Sequence, residues 1–146
     1  MKNVTVKEIY KTFTLNPPVL HENARIEDII QTLLEDPKSR SVYIVDKENK
    51  LVGIISTLMI MKITHIIKGK KTILKEDVFN ALKISKAKEA KDIMHPPIYV
   101  YEDDKILNVL EKMSAENIQE LPVVDRGKRV LGDLNCLEIL KKVWGL

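Results

Sequence analysis

A chain that carries one segment twice must fold into two like units, and this chain repeats itself at a shift of 79 positions. Pro17-Pro18 falls on Pro96-Pro97, Val19 on Ile98, Ile44-Val45 on Val123-Val124, Asp46 on Asp125 and Gly53 on Gly132. The same shift carries Leu58, Ile60 and Lys62 onto Leu137, Ile139 and Lys141. Between the first strand and the first helix the register slips by one, so that Ile26, Ile29, Ile30 and Leu33 meet Ile106, Val109, Leu110 and Met113. Both quartets have the i, i+3, i+4, i+7 spacing of one helix face.

Each copy reads as strand, helix, strand, strand, helix. The proline pair forces an extended chain, so Val19-Leu20 and Ile98-Tyr99 are expected to enter a sheet as short strands. Glu27 and Asp28 suit the positive end of the first helix, and Asp103-Asp104 are read as serving the equivalent helix of the second copy. The β-rich runs Ser41–Val45 and Leu121–Val124 lead through the polar turns Asp46–Asn49 and Asp125–Lys128 into Leu51–Ile55 and Val130–Leu134, which makes two hairpins. Helices over Leu58–Ile67 and Leu137–Trp144 close the copies. A short amphipathic lead-in precedes each proline pair, Val6–Ile9 and Ala90–Met94.

The expected organisation is therefore residues 1–67 as the first repeat with its lead-in helix, 68–88 as a helical linker, and 89–146 as the second repeat. Within the linker, Lys75–Ile84 has helical spacing with Val78, Leu82 and Phe79 inward. One copy of about 50–60 residues is marginal alone, whereas two packed about a pseudo-twofold axis share a core in one compact α/β module.

Composition narrows the function. With 45% of residues hydrophobic but 5% aromatic, the core must be aliphatic. The single cysteine, Cys136, permits no internal disulfide and suits a reducing, cytoplasmic setting. No leader-like apolar segment opens the chain, and charged residues interrupt every apolar run, so a membrane span is not expected. The net charge of +3 is spread along the chain, and the run Lys68-Gly69-Lys70-Lys71 reads as a solvated loop, so nucleic acid is not the expected partner. His21, His65 and His95 lack metal-ligand spacing. There is no Gly-x-Gly-x-x-Gly or Walker loop, and no base is named beside Cys136, so the expectation is a protein that is not an enzyme and needs no cofactor.

The lead-in Asp92-Ile93-Met94 before Pro96, the run Ile118-Gln119-Glu120-Leu121-Pro122-Val123-Val124-Asp125 and the glycine-led strand Gly132-Asp133-Leu134 resemble the CBS domain family. In the first copy Val42–Asp46 departs from the usual Leu-Pro-Val-Val-Asp, while Leu51-Val52-Gly53-Ile54-Ile55-Ser56 fits. The resemblance covers nearly the whole chain, which also looks like small stand-alone bacterial and archaeal CBS pairs, or Bateman modules, with a helical insert between the repeats. It implies a regulatory module that binds an adenosine-containing ligand, AMP, ADP, ATP or S-adenosylmethionine, in the cleft between the repeats. It also implies a homodimer stacked through helix faces, those beginning near Ile26 and Ile106 and those closing each repeat.

In ligand-binding members the glycine-led strand ends Gly-h-h-Thr/Ser-x-x-Asp, with the carboxylate on the ribose hydroxyls and the hydroxyl and helix N-terminus favouring phosphate. The first copy has Ser56 but Met59 at the carboxylate position. The second has Asn135 for the hydroxyl and Glu138 for the carboxylate. The resemblance thus points to Asn135 and Glu138, with Pro97, Ile98, Tyr99, Pro122 and Val123 about the base, and to Ser56, Leu20 and Val42 in the first copy. A second reading stays open beside it: Asn135 and Ser56 are N-caps, and Glu138 completes a capping box. On that reading the pair is degenerate and serves only as a dimerisation or interaction module.

Overall fold

The computed structural model describes residues 1–11, 16–69 and 86–146. The helix expected over Lys75–Ile84 lies outside the described residues.

The first copy supplies β1 (Val19–His21), α1 (Ile26–Glu35), β2 (Ser41–Val45), β3 (Leu51–Ser56) and α2 (Thr57–Thr64), which runs on as a π-type turn, His65–Gly69. The second supplies β4 (Val100–Tyr101), α3 (Ile106–Glu116), β5 (Glu120–Val124), β6 (Val130–Asn135) and α4 (Cys136–Trp144). Each forms a three-stranded sheet with a parallel first pair, in the orders β1-β2-β3 and β4-β5-β6. The inward faces are those that the periodicity selects. Ile29, Val42, Ile44, Ile55, Met59 and Ile63 form one core, and Ile106, Val109, Met113, Leu121, Val123, Leu134 and Ile139 belong to the other.

The two compact units do not follow the repeat boundaries. An outer unit comprises Met1–Pro17, Glu48–Leu51 and Pro97–Leu146; a central unit comprises Pro18–Lys47 and Val52–Pro96. The N-terminal lead-in, a 3-10 turn at Val6–Glu8, therefore packs with the second copy's body. Ile106 N–H donates to the Val4 carbonyl, Val6 N–H to that of Asp104 and Lys7 N–H to that of Glu102, each at 2.9 Å. Val6 is fully buried and Ile9 is 6% exposed within that core, so each contributes about 1.5–3 kcal/mol of burial.

The second lead-in, the 3-10 turn Ala90–Asp92, does the same for the first copy's body. Ile26 N–H donates to Lys88, Ala90 N–H to Ala24 and Lys91 N–H to Glu22, at 3.1, 2.8 and 2.9 Å, and Ala90 is fully buried. At both turns a carboxylate caps the backbone. Hydrogen bonds from the Thr5 N–H to Glu8, and from the Lys88 and Glu89 N–H groups to Asp92, hold these acids below the usual carboxylate range.

These lead-ins explain the two matched glycines. A Cβ on Gly132 would lie 2.9 Å from the Tyr10 ring, and one on Gly53 would lie 2.6 and 2.8 Å from Met94 Cγ and Cβ. Only a residue with no side chain lets the lead-in approach the strand so closely.

Two sequence expectations need correction. The strand expected at Ile98-Tyr99 is Val100–Tyr101. Leu20 pairs with Ile44 and Val100 with Val123, so the one-residue slip precedes the strand. In the first copy Tyr43 N–H donates to the Pro18 carbonyl at 2.9 Å; Pro122 stands at the matching place and has no N–H, so β4 starts later and is shorter. Nor do Asp103 and Asp104 cap α3, whose N-cap is Lys105. Asp104 Oδ2 accepts from Tyr101 N–H at 2.9 Å, and Asp103 holds Arg126 Nη2 through both oxygens at 2.9 and 2.7 Å. Both acids lie too early in the chain to reach the first helical turn.

Candidate functional site

In the outer unit β6 delivers Asn135 to the start of α4. Its Oδ1 accepts from Leu137 N–H at 2.8 Å, and Glu138 Oε1 accepts from Asn135 N–H at 2.9 Å. The capping box is thus formed, and Glu138 is 3% exposed. A carboxylate has about four acceptor positions, so the cap and a ribose diol are not mutually exclusive. Glu138 also lines a cleft of about 400 Å³ with Glu8 and Ile9 of the lead-in and Lys141 and Lys142 one turn further along α4.

The same unit holds Pro97, Ile98 and Tyr99 ahead of β4, and Pro122 and Val123 in β5. Pro97 and Ile98 are half-buried. Tyr99 meets Tyr101 edge-on at 5.7 Å, and its carbonyl accepts from Lys112 Nζ at 3.1 Å. Pro122 and Val123 are buried, Val123 completely, so their side chains shape the core rather than present a free face.

The central unit holds the other three candidates, Leu20, Val42 and Ser56. Val42 is fully buried and Leu20 packs against the same core. Ser56 Oγ accepts from Met59 N–H at 3.2 Å, the N-cap bond of α2. Met59, standing where the second copy has Glu138, packs into the aliphatic core at 9% exposure. A cavity of about 670 Å³ in this unit is walled by Ile26, Ile30, Ile60 and Ile63, with Arg25 and Lys68 at its rim. It lies on the α1 and α2 faces, where no candidate residue from the sequence stands.

Sequence reasoning missed the lead-in groups Glu8, Ile9 and Tyr10, because nothing in a local pattern says which copy's body a lead-in will cover. It also passed over Asp133, 2% exposed and paired in register with Pro122, at a position where the motif expects an apolar residue. Among the described residues no group of three His, Cys, Asp or Glu side chains is placed to hold a metal ion, and no helix is long and apolar enough to cross a membrane.

The model of the CBS domain matches twice, over residues 6–65 and 90–145. The chain belongs to the CBS domain family. A CBS domain-containing protein from Thermotoga maritima is 35% identical, with a TM-score of 0.79 over 100% of this chain and 98% of its own. The CBS domain pair of protein MJ0100, solved with 5′-methylthioadenosine and S-adenosyl-L-methionine, is 28% identical, with a TM-score of 0.71 over 97% of each chain. The uncharacterised protein MJ1004 of Methanocaldococcus jannaschii is 31% identical over 125 residues; these are 84% of this chain and 50% of that protein, so the CBS pair spans half of its relative.

Proposed function

We propose that this CBS pair is a regulatory module for an adenosine-containing ligand, with the ribose hydroxyls on Glu138. The observation that carries the reading is a buried carboxylate at the third residue of α4, directly after the glycine-led strand. The likeness to the MJ0100 pair, whose structure holds two adenosyl compounds, supports the ligand class. AMP, ADP, ATP and S-adenosylmethionine are the candidates, and the outer unit is preferred because Met59 leaves the central unit without the acceptor. The module is read as regulatory rather than catalytic, which the match to the CBS domain and the likeness to the MJ0100 pair support.

A homodimer fits the exposed apolar groups of α3 and α4: Leu107, Leu110, Leu137, Leu140 and Trp144 are between 37% and 74% exposed. Such a patch on paired helices suits a second copy better than water. A reducing cytoplasm suits the lone thiol.

The second reading, a degenerate pair acting only in assembly, draws on the caps themselves, since both Ser56 and the Asn135–Glu138 pair already serve a backbone N–H. Thermal shift with the four adenosyl ligands at millimolar concentration separates the two. A ligand at a hundred times its Kd stabilises the fold by about 2.7 kcal/mol. At about 2–4 °C per kcal/mol for a chain near this size, that raises Tm by roughly 5–11 °C. An unmoved Tm with all four ligands rejects the sensor reading.

A further inference from the structure

Lys141 and Lys142 share the outer unit's cleft with Glu138. They follow it by three and four residues on α4, so all three stand on one helix face, the lysines about 4.5 and 6 Å further along the axis. The repeat shift sets the trio against Met59, Lys62 and Ile63 of the first copy. There Met59 and Ile63 are core residues, 9% and 8% exposed. At the same two places the second copy turns an acid and a base onto a cleft. Glu138 is buried and both lysines are exposed, so the carboxylate lies deep and the cations near the mouth.

Among the described residues, Glu8 is the other charged side chain lining this cleft. Its Oε2 accepts from the Thr5 N–H at 2.6 Å and is thereby committed to the lead-in turn. That bond, with a smaller pull from the Lys142 charge, keeps Glu8 ionised. Once a diol occupies Glu138, two cations and one anion face the rest of the ligand.

We propose that Lys141 and Lys142 are specificity residues, selecting a 5′-phosphorylated adenosine nucleotide over S-adenosylmethionine. The inference rests on the reading that Glu138 holds the ribose. A phosphomonoester carries about −1.5 to −2 charges near pH 7 and accepts hydrogen bonds from ammonium groups. S-adenosylmethionine has a sulfonium cation at the same 5′ carbon, which two ammonium groups repel. Lysines in the last turn of a helix also suit the negative end of its macrodipole, but that role alone discriminates between no ligands.

Isothermal titration of the full chain with adenosine, AMP, ATP and S-adenosylmethionine separates the two roles. Three forms are compared: the native sequence, Lys141→Gln/Lys142→Gln and Glu138→Gln. The native chain should prefer AMP and ATP to adenosine, and adenosine to S-adenosylmethionine. Removing both lysines should weaken the nucleotides about tenfold and adenosine less than about twofold, while S-adenosylmethionine binds no worse. Added salt should likewise weaken the nucleotides and spare adenosine. Equal losses for adenosine and the nucleotides, or an unchanged ATP affinity, overturn the selection and leave the ribose reading standing. If Glu138→Gln changes no affinity, the ribose reading falls and this inference falls with it. Should the double variant fail to fold, Lys142→Gln alone is read in the same way, at about threefold.

Discussion

Gly132→Ala tests whether the glycine-led strand is a seat for a lead-in. The new methyl would stand 2.9 and 3.1 Å from Tyr10 Cε2 and Cδ2 and 3.3 Å from Lys11 Cε. Lys11 is exposed and can swing away. The tyrosine ring cannot do so freely, because its hydroxyl donates to Glu102 Oε2 at 2.7 Å. The ring must either stay and strain, at about 1–3 kcal/mol for an inserted methyl, or leave and forfeit a charge-assisted hydrogen bond of about 1.5–3 kcal/mol. Alanine's lower conformational entropy in a strand offsets about 0.5–1 kcal/mol of this.

A net loss of about 1–2 kcal/mol is therefore expected, a fall in Tm of roughly 2–8 °C at about 2–4 °C per kcal/mol. The deciding measurement is a double-mutant cycle with Tyr10→Ala, read from urea midpoints at constant m-value. Once the ring is absent, Gly132→Ala should cost nothing or stabilise slightly, leaving a coupling of at least about 1 kcal/mol. An equal cost in both backgrounds refutes the reasoning, since the glycine would then answer to the strand itself and not to the lead-in.

Glu138→Gln should weaken the bound adenosyl ligand by about 1.5–3 kcal/mol, measured by isothermal titration, while barely changing the Tm of the free protein because glutamine still caps; unchanged affinity removes Glu138 from the site. Ser56→Ala leaves Met59 N–H without its cap and should cost about 0.5–2 kcal/mol in a urea titration, and a change within error would show the first turn of α2 to be held by other means. Burial, followed by the hydrogen bond and charge of Glu102, pushes the Tyr10 phenol up to about 12. The fold therefore favours the protonated phenol. That stability is fully present below pH 10 and is lost as pH rises toward 12, by a small amount because the ring is partly solvated. Tyr10→Phe should be less stable than the native chain at neutral pH and should narrow the gap between pH 10 and 12; a constant gap in urea midpoints contradicts the assignment.

How much of this was legible in the sequence depends on the range of the force involved. The helix faces at Ile26–Leu33 and Ile106–Met113, the two hairpins and the Asn135–Glu138 capping box all rest on contacts a few residues apart, which periodicity and capping chemistry report directly. The position of β4 was misjudged because it turns on one absent donor, Pro122, whose effect falls on a strand more than twenty residues earlier in the chain. The exchange of lead-ins was not legible at all. Val6-Lys7-Glu8 and Ala90-Lys91-Asp92 share one pattern, and each turn is capped locally, by Glu8 on the Thr5 N–H and by Asp92 on the Glu89 N–H. In the observed pairing Tyr10 lies on Gly132 and Met94 on Gly53. Each glycine did carry a signal, since a residue without a side chain inside a strand marks a close approach by something. Glycine announces the approach without naming what approaches, and only the fold shows that a lead-in from the other copy fills each seat.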